Sequence, residues 1–411
     1  MKSTMTAIAL ALGTLGLAAP AAATTVAQEA AAAEQKQLDI SKGARDSIAA
    51  MKTAFDAKDW ATFDAGVEPA IGKAEKADDT YYIGNLLLNA GLDRSDFSMQ
   101  VRGVDLMAQS GWDAPANSAA KYEALGRNAY AASDYATAQS LFEKALALAP
   151  NDAELLLLTG EALNHQGQGA QAVATMQRGI ALQAANGGAI DENWYRRTIQ
   201  VALDNNLQGF NSLLIDWVKA YPTSENWRDA LKIYQDRVSW SDEELVNLWR
   251  LMRTAQALRG DRDHFDYALH LLDKGLPVEA GALVEEGVAT GRIEGNTQTF
   301  TEILALVERG SQNYEVELDQ DAAGVRSGGS LLQTVKFGDA YYGMDRFGDA
   351  AEFYQLAMSR SGADASMLNL RLGAALARDG QYDAAKAALG QVEGKFAELA
   401  AFWMAWIDVQ G

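Results

Sequence analysis

The chain contains no cysteine in its 411 residues. Disulfides, thiolate metal sites, cysteine nucleophiles and a cysteine-borne lipid anchor are therefore excluded. Histidine is almost as scarce, with His165, His264 and His270 the three present. His264 and His270, six apart, fall on different sides of a helix, whereas Asp266 and His270, four apart, share one. Two candidate ligands do not make a metal centre, and a surface ion pair between Asp266 and His270 is the expectation. Basic residues are outnumbered, 35 Lys and Arg against 55 Asp and Glu, for a net charge of −20. Such a surface repels nucleic acid and anionic membranes, so neither is expected as a partner. Signatures of chemistry are missing too. No phosphate-cradling loop, HExxH or GxSxG occurs, and the many carboxylates single out no acid–base pair. No catalytic residue, cofactor or metal is assigned, and the chain is not expected to be an enzyme.

Two acidic runs invite a calcium-loop reading. In Asp319-Gln320-Asp321-Ala322-Ala323-Gly324, Ala323 stands where a third oxygen ligand belongs, and Ser330 where a bidentate Glu belongs. In Asp261, Asp263 and Asp266, Phe265 occupies the wrong place. Both runs read as solvated helix starts, where acidic residues favour the helix dipole.

Proline is rare, 6 in all, and Ala, Leu, Gln and Glu abound, which suits helices. Residues 1–23 have the pattern of an export signal: Lys2, an apolar run over 7–19 broken by Gly13 and Gly16, and Ala21-Ala22-Ala23 before a cut preceding Thr24. The run is short for a membrane-spanning helix. The expectation is a periplasmic or secreted protein without stable membrane insertion after cleavage. Residues 24–37 read as a flexible lead-in.

Residues 121–182 repeat themselves. Leu125-Gly126 is followed by Ser133-Asp134-Tyr135, Ala138, Phe142, Ala145 and Pro150; Thr159-Gly160, 34 residues on, is followed by Gly167, Ala172, Met176 and Gly179. A second pair lies near the C-terminus. Phe337-Gly338, Tyr341, Phe347, Ala350, Tyr354 and Ala357 form one copy, and Leu372-Gly373, Leu376, Gly380, Tyr382, Ala385 and Leu389 the next, 35 residues on. Small residues let two antiparallel helices approach, larger ones fill the space beside them, and Pro150 cannot continue a helix. This period and these positions resemble the tetratricopeptide repeat. The resemblance implies an all-α, right-handed superhelical α-solenoid of roughly nine to eleven helix–turn–helix units. In this reading, degenerate repeats fill 38–118, two clear repeats 119–186, degenerate repeats 187–330, and two clear repeats 331–395. A capping helix over 396–411 follows, with Phe402, Trp403, Trp406 and Ile407 over the final repeat; a partner-docking surface is the competing role for that helix. Arg326-Ser327-Gly328-Gly329-Ser330 is the expected interruption, as a loose turn or a hinge. Ser241 and Glu244 form a capping box.

The resemblance also implies the use of the fold: a scaffold that binds protein or peptide along a concave face lined by first helices. Here that face comprises Glu123, Arg127, Tyr130, Glu154, Leu157, Glu161, Asn164 and His165, with Tyr195, Arg228, Lys232, Gln235, Asp339 and Tyr342 further on. Pairing of Arg127 with Glu161 across adjacent helices is the alternative to a role in binding. The set of Lys, Asn and Arg with which one subfamily grips a C-terminal carboxylate is absent: Glu123 stands where a Lys is expected, and Asn128 is displaced by one. Binding of an envelope glycan, with Trp194, Tyr195 and Trp227 stacking on sugars, is the second reading, although Trp194 and Trp227 occupy core positions of the repeat. A carboxylate-dependent hydrolase is the third.

Overall fold

A computed structural model describes residues 38–410. The expected export signal and lead-in lie outside the described residues. Among the described residues, every regular element is a helix. They divide into two compact units, one ending at Leu125 and including Ala147–Ala149, the other comprising Gly126–Leu146 and Pro150–Gly411.

The first unit is built from α1 (Lys42–Asp56), α2 (Trp60–Gly72), α3 (Ala77–Arg94), α4 (Phe97–Ser110) and the start of α5 (Pro115–Ala131). Lys58, in the left-handed region at φ 56°, turns the chain between α1 and α2. Asp59 then caps α2 by accepting from the Thr62 amide at 3.2 Å. Buried Asp79 accepts from the amides of Ser41, Glu75 and Lys76 at 2.9–3.0 Å, fastening the start of α1 to that of α3. Burial opposes the charge, but these donors hold the carboxyl below its usual range. α3 and α4 approach so closely that a Cβ on Gly103 would lie 2.5 Å from the Leu88 amide. Ile48, Met51, Phe63, Ile83 and Leu87 form this unit's core.

The second unit continues through α6 (Tyr135–Leu148), α7 (Ala153–His165), α8 (Gly169–Ala185), α9 (Glu192–Asp204), α10 (Asn211–Ala220), α11 (Ser224–Arg237) and α12 (Asp242–Thr254). Then come α13 (Gly260–Asp273), α14 (Pro277–Ala289), α15 (Gln298–Ser311), α16 (Tyr314–Gly328), α17 (Leu331–Gly343), α18 (Phe347–Met358), α19 (Ala365–Arg378), α20 (Tyr382–Leu389), a 3-10 turn at Gly394–Phe396, and α21 (Ala397–Asp408). Helices pack against their neighbours in sequence, as an all-α solenoid requires. The small residues sit where the period places them. A Cβ on Gly126 would come 2.6 Å from the Phe142 ring, and one on Gly338 2.6 Å from the Tyr354 ring. Gly126→Leu and Gly338→Leu should each lower stability by about 1–3 kcal/mol through overpacking; unchanged denaturant midpoints would reject this register.

Three expectations need correction. The interruption expected over 326–330 is shorter than the stretch: α16 runs through Gly328, and Ser330 already caps α17 in a box with Gln333, so the break is Gly329-Ser330. Glycine lowers helix propensity by only about 1 kcal/mol per residue, which flanking packing overrides. Asp266 pairs with Arg262 at 3.5 Å, not with His270. The ring of His270 contacts the Asp242 carbonyl and packs against Trp249, while His264 is buried, with Nδ1 2.8 Å from the Gly260 carbonyl. Finally, α21 covers more than the last repeat. Its Phe402 ring packs 5.3 Å from Tyr234 and 6.3 Å from Trp227 on α11. Asn211 donates to Glu398 at 2.8 Å, and Lys219 pairs with Asp408 at 2.8 Å. Phe402 and Trp403 are fully buried, so the aromatic face of α21 is spent inside the chain and is not a docking surface.

Candidate partner-binding surface

The concave-face reading rests on α5 and α7, the first helices of the clear repeats, and on α9, which follows them along the chain. Local chemistry sets each one. Ser133 turns the chain after α5 at φ 63°, and Asp134 caps α6 by accepting from the Thr137 amide at 3.1 Å. Asp152 does the same for α7 through the Leu155 amide at 3.1 Å. Gln166, past the end of α7, donates to the Tyr135 carbonyl at 3.2 Å and to Gln139 at 2.8 Å, tying α7 to α6.

Much of the polar chemistry on this face is used between neighbouring helices. Arg127 donates to Glu154 at 2.6 Å across α5 and α7. Glu161 pairs with Arg197 of α9, and Asn164 accepts from Asn205 at 2.9 Å. The Arg127–Glu161 pair considered from sequence is thus replaced by two pairs, each reaching the next unit. Leu157 is not on the face: it is buried against Gly179 in the core. The outward positions of α7 are Glu154 and His165, and Leu157 points the other way. Glu123 falls in the other compact unit.

What remains open is aromatic. The Tyr135 ring stacks on His165 with centroids 4.3 Å apart and planes 8° from parallel, and Tyr130 stands edge-on to both at 5.2 and 5.5 Å. Burial, with Tyr135 beside it, pushes the Tyr130 hydroxyl above its ordinary pKa, so it stays a neutral donor. Tyr130 and Tyr135 are half-buried and His165 is exposed. Sequence reasoning counted Tyr135 only as part of a turn; its spacing from Tyr130 and His165 depends on the turn geometry, which no periodicity reports.

The other expected face residues are occupied elsewhere. Tyr195 and Tyr342 are buried. Arg228 and Lys232 both pair with Asp263, and Gln235 accepts from Lys232 at 3.1 Å. Of the residues named for sugar stacking, Tyr195 and Trp227 are buried and Trp194 is packed against the core. The acidic runs are engaged in part. Asp319 lies mid-helix in α16, not at a helix start, where it pairs with Arg346 at 2.9 Å and accepts from the Tyr341 hydroxyl at 2.8 Å.

Sequence reasoning missed a buried charge cluster. Arg250 of α12 donates twice to Glu279 of α14, at 3.0 and 2.7 Å, and once to Asp339 of α17, at 2.9 Å. Arg371 of α19 donates to the other Asp339 oxygen at 3.0 Å and to Glu243 at 3.1 Å. The hydroxyls of Tyr267 and Tyr354 complete the shells of Glu279 and Asp339 at 2.8 and 2.7 Å. Burial disfavours the Asp339 charge, yet Arg371 and Arg250 together hold its carboxyl below the usual range. Beside the cluster opens a cavity of ≈ 460 Å³ between α12, α16, α17 and α19.

Comparison with known proteins bears on part of this chain. A family model described as tetratricopeptide repeat matches residues 129–188, so that segment carries the repeat. No curated protein matches. Among solved structures, the chain aligns with the TPR domain of P58(IPK) at 13% identity and a TM-score of 0.21, covering 82% of this chain and 98% of that one. It aligns with Naa15/Naa10 bound to HypK-THB at 11% identity and a TM-score of 0.21, covering 87% and 70%. A circular tandem repeat protein aligns at 11% identity and a TM-score of 0.17, covering 89% and 95%. No described helix is long and apolar enough to cross a membrane.

Proposed function

We propose that the chain is an exported scaffold that binds a protein or peptide partner in the cell envelope through the repeats at 129–188. The observation that carries this reading is the aromatic cluster of Tyr130, Tyr135 and His165. Gln166 ties the Tyr135 backbone to α7, and the three rings are left partly open. Aromatic rings with a polar tip supply large contact area at little entropic cost, and a pre-ordered cluster lowers the cost of binding further. Arg127, half-exposed beside it, can exchange Glu154 for a partner carboxylate, because an exposed pair is worth only about 0–1 kcal/mol. Export is supported by the pattern of residues 1–23, and it predicts a mature N-terminus at Thr24.

Crosslinking pull-down from the host envelope tests both parts. Tyr130→Ala with His165→Ala should each cost more than about 1 kcal/mol of partner binding, with helicity unchanged. Arg127→Ala should cost less. Full partner recovery by the Tyr130/His165 variant would move the site elsewhere. An intact Met1 on the recovered protein would reject export.

A further inference from the structure

The cavity beside the charge cluster lies outside the stretch that the repeat family matches. Leu276, Leu318 and Val335 give it aliphatic walls. A second, shallower depression of ≈ 220 Å³ adjoins it and shares Glu243, Leu332, Val335 and Arg371 with it. Leu332 stands where the two meet and is 65% exposed, the most exposed of the large hydrophobic residues described. An aliphatic side chain left in water at the mouth of an aliphatic cavity marks a surface that a partner covers.

Two polar features define that partner. The Arg371 guanidinium is 5% exposed and lines both depressions. Its two Nη atoms are taken by Asp339 and Glu243, but its Nε–H is buried with no acceptor among the described residues. Buried donors are normally satisfied, and one that is not asks for an acceptor from outside. The rim supplies the second feature. Glu317 and Asp321, one turn apart on α16, face the cavity, are exposed and make no ion pair among the described residues. Lys336 is a rim cation in the same condition and Lys274, also on the rim, pairs with Asp273 at 3.6 Å, so among the described residues the unpaired rim charge is two carboxylates against one ammonium, in keeping with the whole chain at −20. A cationic partner is drawn to such a rim and an anionic one is repelled.

We infer that this cavity takes a cationic, aliphatic peptide segment of a partner protein. An aliphatic side chain enters between Leu276, Leu332 and Val335, a main-chain carbonyl accepts from Arg371 Nε–H, and a Lys or Arg of the peptide pairs with Glu317 and Asp321. The inference rests on the protein-binding reading above but places a second contact on the same scaffold.

The test uses the full mature chain and three labelled ten-residue probes, alternating Leu/Lys, Leu/Glu and Ser/Lys, at physiological ionic strength. The Leu/Lys probe should bind saturably with one-to-one stoichiometry, and the other two at least about tenfold more weakly. Leu332→Glu, and separately Glu317→Lys with Asp321→Lys, should each weaken the Leu/Lys probe by about tenfold or more. These three residues are exposed, so the variants should melt as the parent does. The charge-matched control Glu302→Lys with Glu308→Lys, on α15 away from the cavity, should bind as the parent does. Equal binding of Ser/Lys and Leu/Lys, an equal loss in the control, or no saturable binding would overturn the inference. Tyr130→Ala leaves this probe unaffected if the two contacts are separate, so failure here and failure of the repeat surface give different results.

Discussion

Arg250→Met should destabilise the protein by roughly 3–5 kcal/mol, among the largest effects of any single substitution in the chain. Arg250 is 3% exposed and Glu279 1%. With the guanidinium gone, the Tyr267 hydroxyl at 2.8 Å is the one hydrogen-bond donor left to Glu279 among the described residues, and a buried carboxylate loses its paired guanidinium. Asp339 keeps Arg371 and Tyr354 and is less affected. Pairing the change with Glu279→Met removes the orphaned charge, so the double variant should be more stable than Arg250→Met alone, a non-additivity that a double-mutant cycle measures directly. The same cluster sets a pH dependence. Asp339 has a folded pKa below its unfolded value of about 3.9. Its contribution is therefore fully present above that value and is lost as pH falls through the lower, folded pKa. Denaturant midpoints should hold steady from neutral pH to about 5 and drop in more acidic solution, and the drop should be smaller in Asp339→Asn. A double variant no better than the single one would mean that the cluster stabilises only through packing.

The parts of this architecture written in short-range spacing were legible. Gly126 with Ala138, and Gly338 with Ala350, announce helix contacts because the two members of each pair lie within one repeat. The capping box at Ser241 and Glu244 is present as read, since it needs only four consecutive residues. What escaped was written in long-range geometry. Arg250 and Asp339 are 89 residues apart, and each alone looks like a solvated charge on a helix face. Only the return of α17–α19 onto α12–α14 buries them together. Leu157 was assigned to the open face because α7 is apolar over most of its circumference, which blurs the boundary between core and surface positions; seven of its 13 residues besides Gly160 are buried. Tyr130 and His165 are legible as first-helix positions because these follow the period. Their partner Tyr135 was not assigned to the face, because it opens a second helix and reaches it only through the left-handed turn at Ser133.

Phe402→Ala should cost about 3–5 kcal/mol and should loosen helices far from it in sequence. Its ring is fully buried, packed against Tyr234 and Trp227 of α11, while α21 as a whole also lies on α19, α20 and α10. A helix that capped only the last repeat would, when weakened, fray together with α20. The contacts here predict more. Hydrogen exchange should quicken in α10 and α11 as well as in α20, because Asn211–Glu398, Lys219–Asp408 and the Phe402 ring tie α21 to α10 and α11. Trp403 gives an internal comparison. It is equally buried, but its indole N–H has no acceptor among the described residues. Trp403→Phe removes that unmet donor while keeping most of the ring volume, so it should cost far less than Trp403→Ala. Exchange confined to α19 and α20 in Phe402→Ala, with α10 and α11 as protected as in the parent, would show that the return contact contributes nothing and that α21 acts as an end cap alone.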